Sequence, residues 1–124
     1  MRETENNPVS LSLDMKKNRI RIHKATLHLL GDPLYIQLLV NPEERIVAIR
    51  SVERSVSGDQ THKVSQKTLH SSNSIEIYSR SFIDKLRSVT DNLGDDSLYR
   101  MEGKVISSEN LAVFSFRTLR RTGS

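Results

Sequence analysis

From Val9 onward the chain changes its hydrophobic period repeatedly, and each change predicts an element. Val9-Ser10-Leu11-Ser12-Leu13 alternates apolar and small polar residues, the period-2 signature of a strand with one buried face. Arg19-Ile20-Arg21-Ile22 alternates again, with the isoleucines inward and the arginines toward water. Asp14 to Asn18 is the turn between them, and Asn tolerates φ > 0 better than any side chain except Gly. From Lys24 to Leu30 the spacing of Leu27 and Leu30 predicts a short helix, closed by Gly31 and barred from continuing by Pro33. Leu34 to Val40 is an apolar run of strand length, Asn41-Pro42-Glu43-Glu44 a turn, and Ile46 to Ile49 the returning strand. Residues 9–52 thus read as one β-β-α-β-β unit.

Residues 1–8 are polar and without period, and are expected to form a disordered arm. Residues 53–61 are polar and include Gly58, the expected linker. Residues 62–117 then repeat the first pattern. Val64 to Leu69 reads as a strand, Ser71 to Ser74 as a turn, and Ile75-Glu76-Ile77-Tyr78 matches Ile20-Arg21-Ile22-His23. Ser79 caps a helix over Arg80 to Val89 with Phe82, Ile83 and Leu86 on one face. Leu98 to Ile106 is a strand, Ser107 to Asn110 a turn, and Ala112 to Arg117 aligns with Arg45 to Arg50. Residues 118–124 remain as a basic tail that frays.

One such unit is too small to bury an adequate core. Two solve the problem, either by embracing within one chain or by strand exchange in a homodimer. The expected core is Ile20, Ile22, Leu27, Leu30, Ile36, Leu38, Ile46 and Ile49, with Ile75, Ile77, Phe82, Leu86, Val113 and Phe116 in equivalent places. The fold class expected is α+β, mostly β. With aromatic residues at 5% and no Trp, aliphatic side chains must fill that core. No apolar run is long enough to span a bilayer and the N-terminus lacks a signal-peptide centre, so a cytoplasmic protein with no membrane partner is expected. The absence of Cys agrees with a reducing compartment and removes thiolate and Cys-zinc chemistry.

The net charge of +4 is less informative than its distribution. Lys16, Lys17, Arg19, Arg21 and Lys24 are concentrated between Asp14 and Asp32, and Arg117, Arg120 and Arg121 form a second group. The plain alternative is that strand cations solvate an edge and keep it from aggregating. No catalytic arrangement is visible. His23, His28, His62 and His70 form no metal-ligand spacing, Glu43-Glu44 and Asp95-Asp96 are turn acids, and the glycines build no phosphate loop. The chain is read as a non-enzyme without metal or cofactor. Tyr35, Tyr78 and Tyr99 are not interleaved with the cations, so base stacking is a poorer fit than phosphate contact.

Leu13-Asp14-x-Lys16-x-Asn18-Arg19-Ile20-x-Ile22 followed by Leu27-x-x-Leu30-Gly31 resembles the swapped-hairpin family of bacterial transcription factors, the AbrB, SpoVT and MraZ group. The resemblance implies a swapped-hairpin-like barrel, in which hairpins of two units interleave, and DNA binding through a basic face. The chain departs from that pattern with His23 where the family has Pro and Asn18 where it has Gly. Its second copy has Ser71-Ser72-Asn73-Ser74 in place of the basic turn.

The expected function is that of a small DNA-binding transcriptional regulator, homodimeric, with Lys16, Lys17, Arg19, Arg21 and Lys24 as the contact residues. Arg19 or Arg21 is the candidate for a base edge, since a guanidinium grips guanine bidentately. The rival reading is a protein-binding or scaffold module whose exposed strand edges pair with a partner.

Overall fold

The two alternating stretches at the start of the chain become a β-hairpin. In the computed structural model, which describes residues 7–53, 61–90 and 93–123, β1 (Asn7–Asp14) pairs antiparallel with β2 (Arg19–His23). Asn7 and Pro8 already belong to β1, opposite Val105 and Lys104, and the rest of the expected arm lies outside the described residues. Asn18 closes the turn at φ 53°. α1 (Lys24–Leu29) follows and stops in a Schellman motif: Gly31, at φ 86°, donates its N–H to the His28 carbonyl at 3.0 Å, and Asp32 donates to Leu27 at 2.9 Å. β3 (Tyr35–Asn41) and β4 (Ile46–Val52) form the second hairpin. Asn41 Oδ1 accepts the N–H groups of Glu43 and Glu44 in its turn.

The second half runs β5 (Thr61–Lys63), α2 (Gln66–Ser71), β6 (Ser74–Tyr78), α3 (Arg80–Val89), β7 (Leu98–Ile106), β8 (Leu111–Ser115) and β9 (Arg120–Gly123). Most of the expected linker, residues 54–60, lies outside the described residues, and Thr61 is already in β5. The strands order as β5-β3-β4-β8-β7-β1-β2-β6, with β9 also on β7, a nearly closed barrel-like sheet.

Exchanging the two halves preserves most of this pairing scheme, the exceptions among the described residues being the β1–β2 hairpin, which has no β5–β6 equivalent, and β9. β1 on β7 becomes β5 on β3, β3 on β4 becomes β7 on β8, and the β2–β6 and β4–β8 pairs map onto themselves. Backbone hydrogen bonds repeat the relation: Lys24 N–H to the Asn73 carbonyl is matched by Ser79 N–H to Asn18, and Phe116 N–H to Arg45 by Ser51 N–H to Asn110. The halves therefore embrace within one chain, each lending its first strand to the other, and one contiguous core runs through both.

Several expectations need correction. Val64 to Leu69 is not a strand: Ser65 accepts the Thr68 N–H at 3.2 Å and caps α2, and only Val64 and Leu69 reach the core. The equivalent connection in the first half is the tight turn 15–18, whereas the longer segment 64–73 has room to wind into a helix. The matching strands of β4 and β8 are also offset by two residues from the expected alignment. Both hairpins end in a left-handed residue, Arg45 at φ 56° and Asn110 at φ 54°, so Ile46 corresponds to Leu111 and Ala48 to Val113. The expected core is buried except for Ile46 and Val113, which face outward while Val47, Ala112 and Phe114 point in. Nor does the C-terminus fray as a tail. Thr118 Oγ1 bonds to the Ser115 carbonyl at 2.7 Å and accepts the Glu102 N–H at 2.8 Å, which turns the chain back so that β9 pairs with the part of β7 that β8 leaves free.

Candidate nucleic-acid interface

The basic turn is a rigid projection because both its ends are fixed. Met15 is fully buried, and its N–H donates to the Ser97 carbonyl at 3.1 Å. Asp14 Oδ1 accepts the Lys17 N–H at 3.2 Å, and Arg87 of α3 reaches the Met15 carbonyl at 3.5 Å. Lys16 and Lys17 stand exposed at the tip, and among the described residues neither has an ion-pair partner.

Arg19 and Arg21 leave β2 on its outward side, and acids meet both. Arg19 Nη2 lies 3.0 Å from Asp14 Oδ2, and its Nη1 lies 3.6 Å from Glu76 Oε2 on β6. Arg21 Nη2 is 2.8 Å from the same Glu76 oxygen. Arg19 is the more enclosed, with a side chain 20% exposed against 42% for Arg21. Burial pulls the Arg19 guanidinium down, but a hydrogen bond with Tyr78 and the charges of Glu76 and Asp14 outweigh it, and the net shift is upward. The Glu76 carboxyl is held below its usual range, first by the hydrogen bond from Arg21 and then, against some burial, by the charges of Arg19 and Arg21 and by Tyr78. Lys24 stands apart. It opens α1 at the far end of β2 from the turn, roughly 16 Å from Arg19 at the rise of an extended strand.

Sequence reasoning missed the other half of this wall. β1 has β2 on one edge and β7 on the other, so Ser12 lies between Arg21 and Arg100. β9 adds Arg120 directly opposite Arg100. One outward row therefore runs Glu76, Arg21, Ser12, Arg100, Arg120, and β2 and β9 are about 14 Å apart at three strand spacings. Glu102 holds Arg100 at 3.1 Å and Arg120 at 3.5 Å. The outward phase of Arg100 was legible in the alternation of Tyr99, Met101 and Val105 with polar residues. Its adjacency to Ser12 was not. Next to the row is a hollow of about 160 Å³ lined by Ser12, Asp14, Arg19, Arg21, Leu98 and Thr122 among others.

The tyrosines divide. Tyr99 is buried with its hydroxyl accepting the Gly94 N–H at 2.7 Å, Tyr35 is half-buried, and Tyr78 lies exposed beside Glu76 and Arg19. No group of three or more metal-ligating side chains comes together among the described residues. Among them too, no helix is long and apolar enough to cross a membrane. No protein-family model matches the chain, and comparison with curated proteins and with solved structures returns no match.

Proposed function

We propose that this protein binds DNA as a small transcriptional regulator, through the wall formed by β2, β1, β7 and β9. The observation that carries the reading is the return of the C-terminal strand. It sets Arg120 beside Arg100, in line with Arg21, so two basic segments far apart in sequence share one surface with the Lys16-Lys17 turn. A narrow β-turn carrying two exposed ammonium groups suits a major groove about 12 Å wide. The arginine row alongside suits the phosphate backbone, where most protein–DNA hydrogen bonds go. Lys16 and Lys17 make the leading contacts and Arg21 follows. Arg19, enclosed by Asp14 and Glu76, chiefly holds the wall in shape, and Lys24 lies off it.

An electrophoretic shift with random-sequence duplex at low and moderate salt tests the reading. Binding that weakens steeply with salt supports it, and absent or salt-insensitive binding refutes it. One observation favours a second reading, a partner added by strand pairing: among the described residues β6 pairs only with β2, and beside its other edge lies a polar hollow lined by Thr68, Ser72, Ser74, Glu76 and Tyr78. Such a partner would be held by main-chain bonds and would barely respond to salt.

A further inference from the structure

The hollow beside β6 differs in chemistry from the basic row next to it. It has a volume of about 440 Å³ and is lined by Thr68, Ser72 and Ser74, with Glu76 and Tyr78 projecting from β6. No lysine or arginine lines it. Its hydroxyls can each donate and accept a hydrogen bond, so the surface suits a neutral polar group better than it suits a phosphate.

Tyr78 is the side chain that stands out. At 60% exposure it is the most exposed of the large apolar residues among those described, and the one aromatic in that group. Its hydroxyl donates to Glu76 Oε1 at 3.3 Å, two residues back on the same face of β6, so the ring leans along the strand and stays open to solvent. Along the sequence no tyrosine is interleaved with the basic cluster. The β2–β6 pairing nevertheless puts Tyr78 directly opposite Arg19, and the 2.9 Å bond from the Ser79 N–H to the Asn18 carbonyl holds it beside the Lys16-Lys17 turn. An exposed ring next to a line of cations is the combination that holds single strands, because every nucleotide offers a base face to stack and a phosphate to pair.

We infer that Tyr78 is a stacking platform for one unpaired base, received in the hollow beside β6 while the phosphates of the same DNA strand lie on the Lys16-Lys17 turn. The layout matches the two ends of a nucleotide, with cations at the turn for the phosphate and a ring with hydroxyls at the hollow for the base. A paired base presents only its edges in the grooves, its faces covered by its neighbours, so the base taken here belongs to a single-stranded stretch. The inference rests on the reading of this wall as a DNA surface and adds the form of the DNA met at its β6 edge.

Two strands of equal length and charge, one of thymidine nucleotides and one of a stable abasic analogue, separate base from phosphate. The parent should bind the thymidine strand about ten-fold more tightly than the abasic one, and Tyr78→Leu should bring the two affinities together. Tyr78→Phe, which has the ring without the hydroxyl, should recover most of the preference. Because the chain has no tryptophan, tyrosine emission gives a measurement on the parent alone: the thymidine strand should quench it and the abasic strand should not. A parent that binds both strands alike, emission that responds to both alike, or a folded Tyr78→Leu chain that keeps the preference overturns the inference. Salt-sensitive binding of duplex would in that case leave the DNA reading standing, whereas absence of binding to duplex and to both strands would remove the two together.

Discussion

Glu76 on β6 lies directly across from Arg21 on β2, its Oε2 2.8 Å from the guanidinium, and the same oxygen faces Arg19. A single carboxylate thus offsets two of the cations proposed to face DNA, and it is itself 35% exposed. In so wet a setting the pair adds at most about 1 kcal/mol to stability after solvent screening. Glu76→Gln should therefore leave the fold intact and tighten binding to random duplex at low salt by a few-fold, on the order of 1 kcal/mol for one charge near a phosphate. Filter binding of parent and variant checks this, and weaker binding by a folded variant would show that Glu76 positions the arginines instead.

The pH dependence has two sources with the same sign. Glu76 is held below the usual carboxylate range, so its contribution is complete above that range and is lost as pH falls through its folded value. His62 on β5 is lowered by burial, which disfavours the imidazolium. The unfolded chain therefore takes up that proton first, and stability declines as pH drops below about 6.5. Thermal melts between pH 7 and 5 should show this decline in the parent and a flatter profile in His62→Gln.

Among the described glycines, Gly103 is the one least able to accept a side chain. A Cβ there would lie 1.9 Å from the Val113 carbonyl oxygen and 2.7 Å from a ring carbon of Phe114, and the first obstacle is backbone that cannot swing aside. Gly103→Ala should cost about 3 kcal/mol or more, by forcing β7 from β8, and a chemical-denaturation midpoint close to the parent's would contradict this close approach.

Ser65→Ala separates the helix at 66–71 from the strand that its sequence suggests. Loss of the Thr68 N–H cap should lower stability by about 1 kcal/mol and reduce far-UV helical signal, whereas a strand would be indifferent to the change.

The first half was legible because its signals are local. Ile20 and Ile22 alternate with arginines, Leu27 and Leu30 share a helix face, and Asn18 and Gly31 sit where φ is positive. Ile46-Val47-Ala48-Ile49 carries no alternation, so nothing local decides its phase. The hairpin turn ending at Arg45 sets it, and Ile46 faces out. Ser65 reads as strand because the cap and the apolar Val64 and Leu69 fit either period over so short a stretch. The candidate site was half legible: the Lys16-Lys17 turn lies in one segment, while Arg100 and Arg120 join it through pairings of β7 with β1 and β9 that no local pattern encodes. The same long-range pairing converted the C-terminal residues from a tail into a strand.

The salt dependence of DNA binding tests the central claim most directly. With about four phosphates engaged, log Kobs for the parent should fall against log salt with a slope of about −3 to −4, and Lys16→Ala with Lys17→Ala should make it shallower by about 2. Both lysines are exposed, so the double variant should remain folded. A parent without salt-sensitive binding, or a folded Lys16→Ala, Lys17→Ala variant with the parent's slope, would contradict the assignment of this wall to DNA.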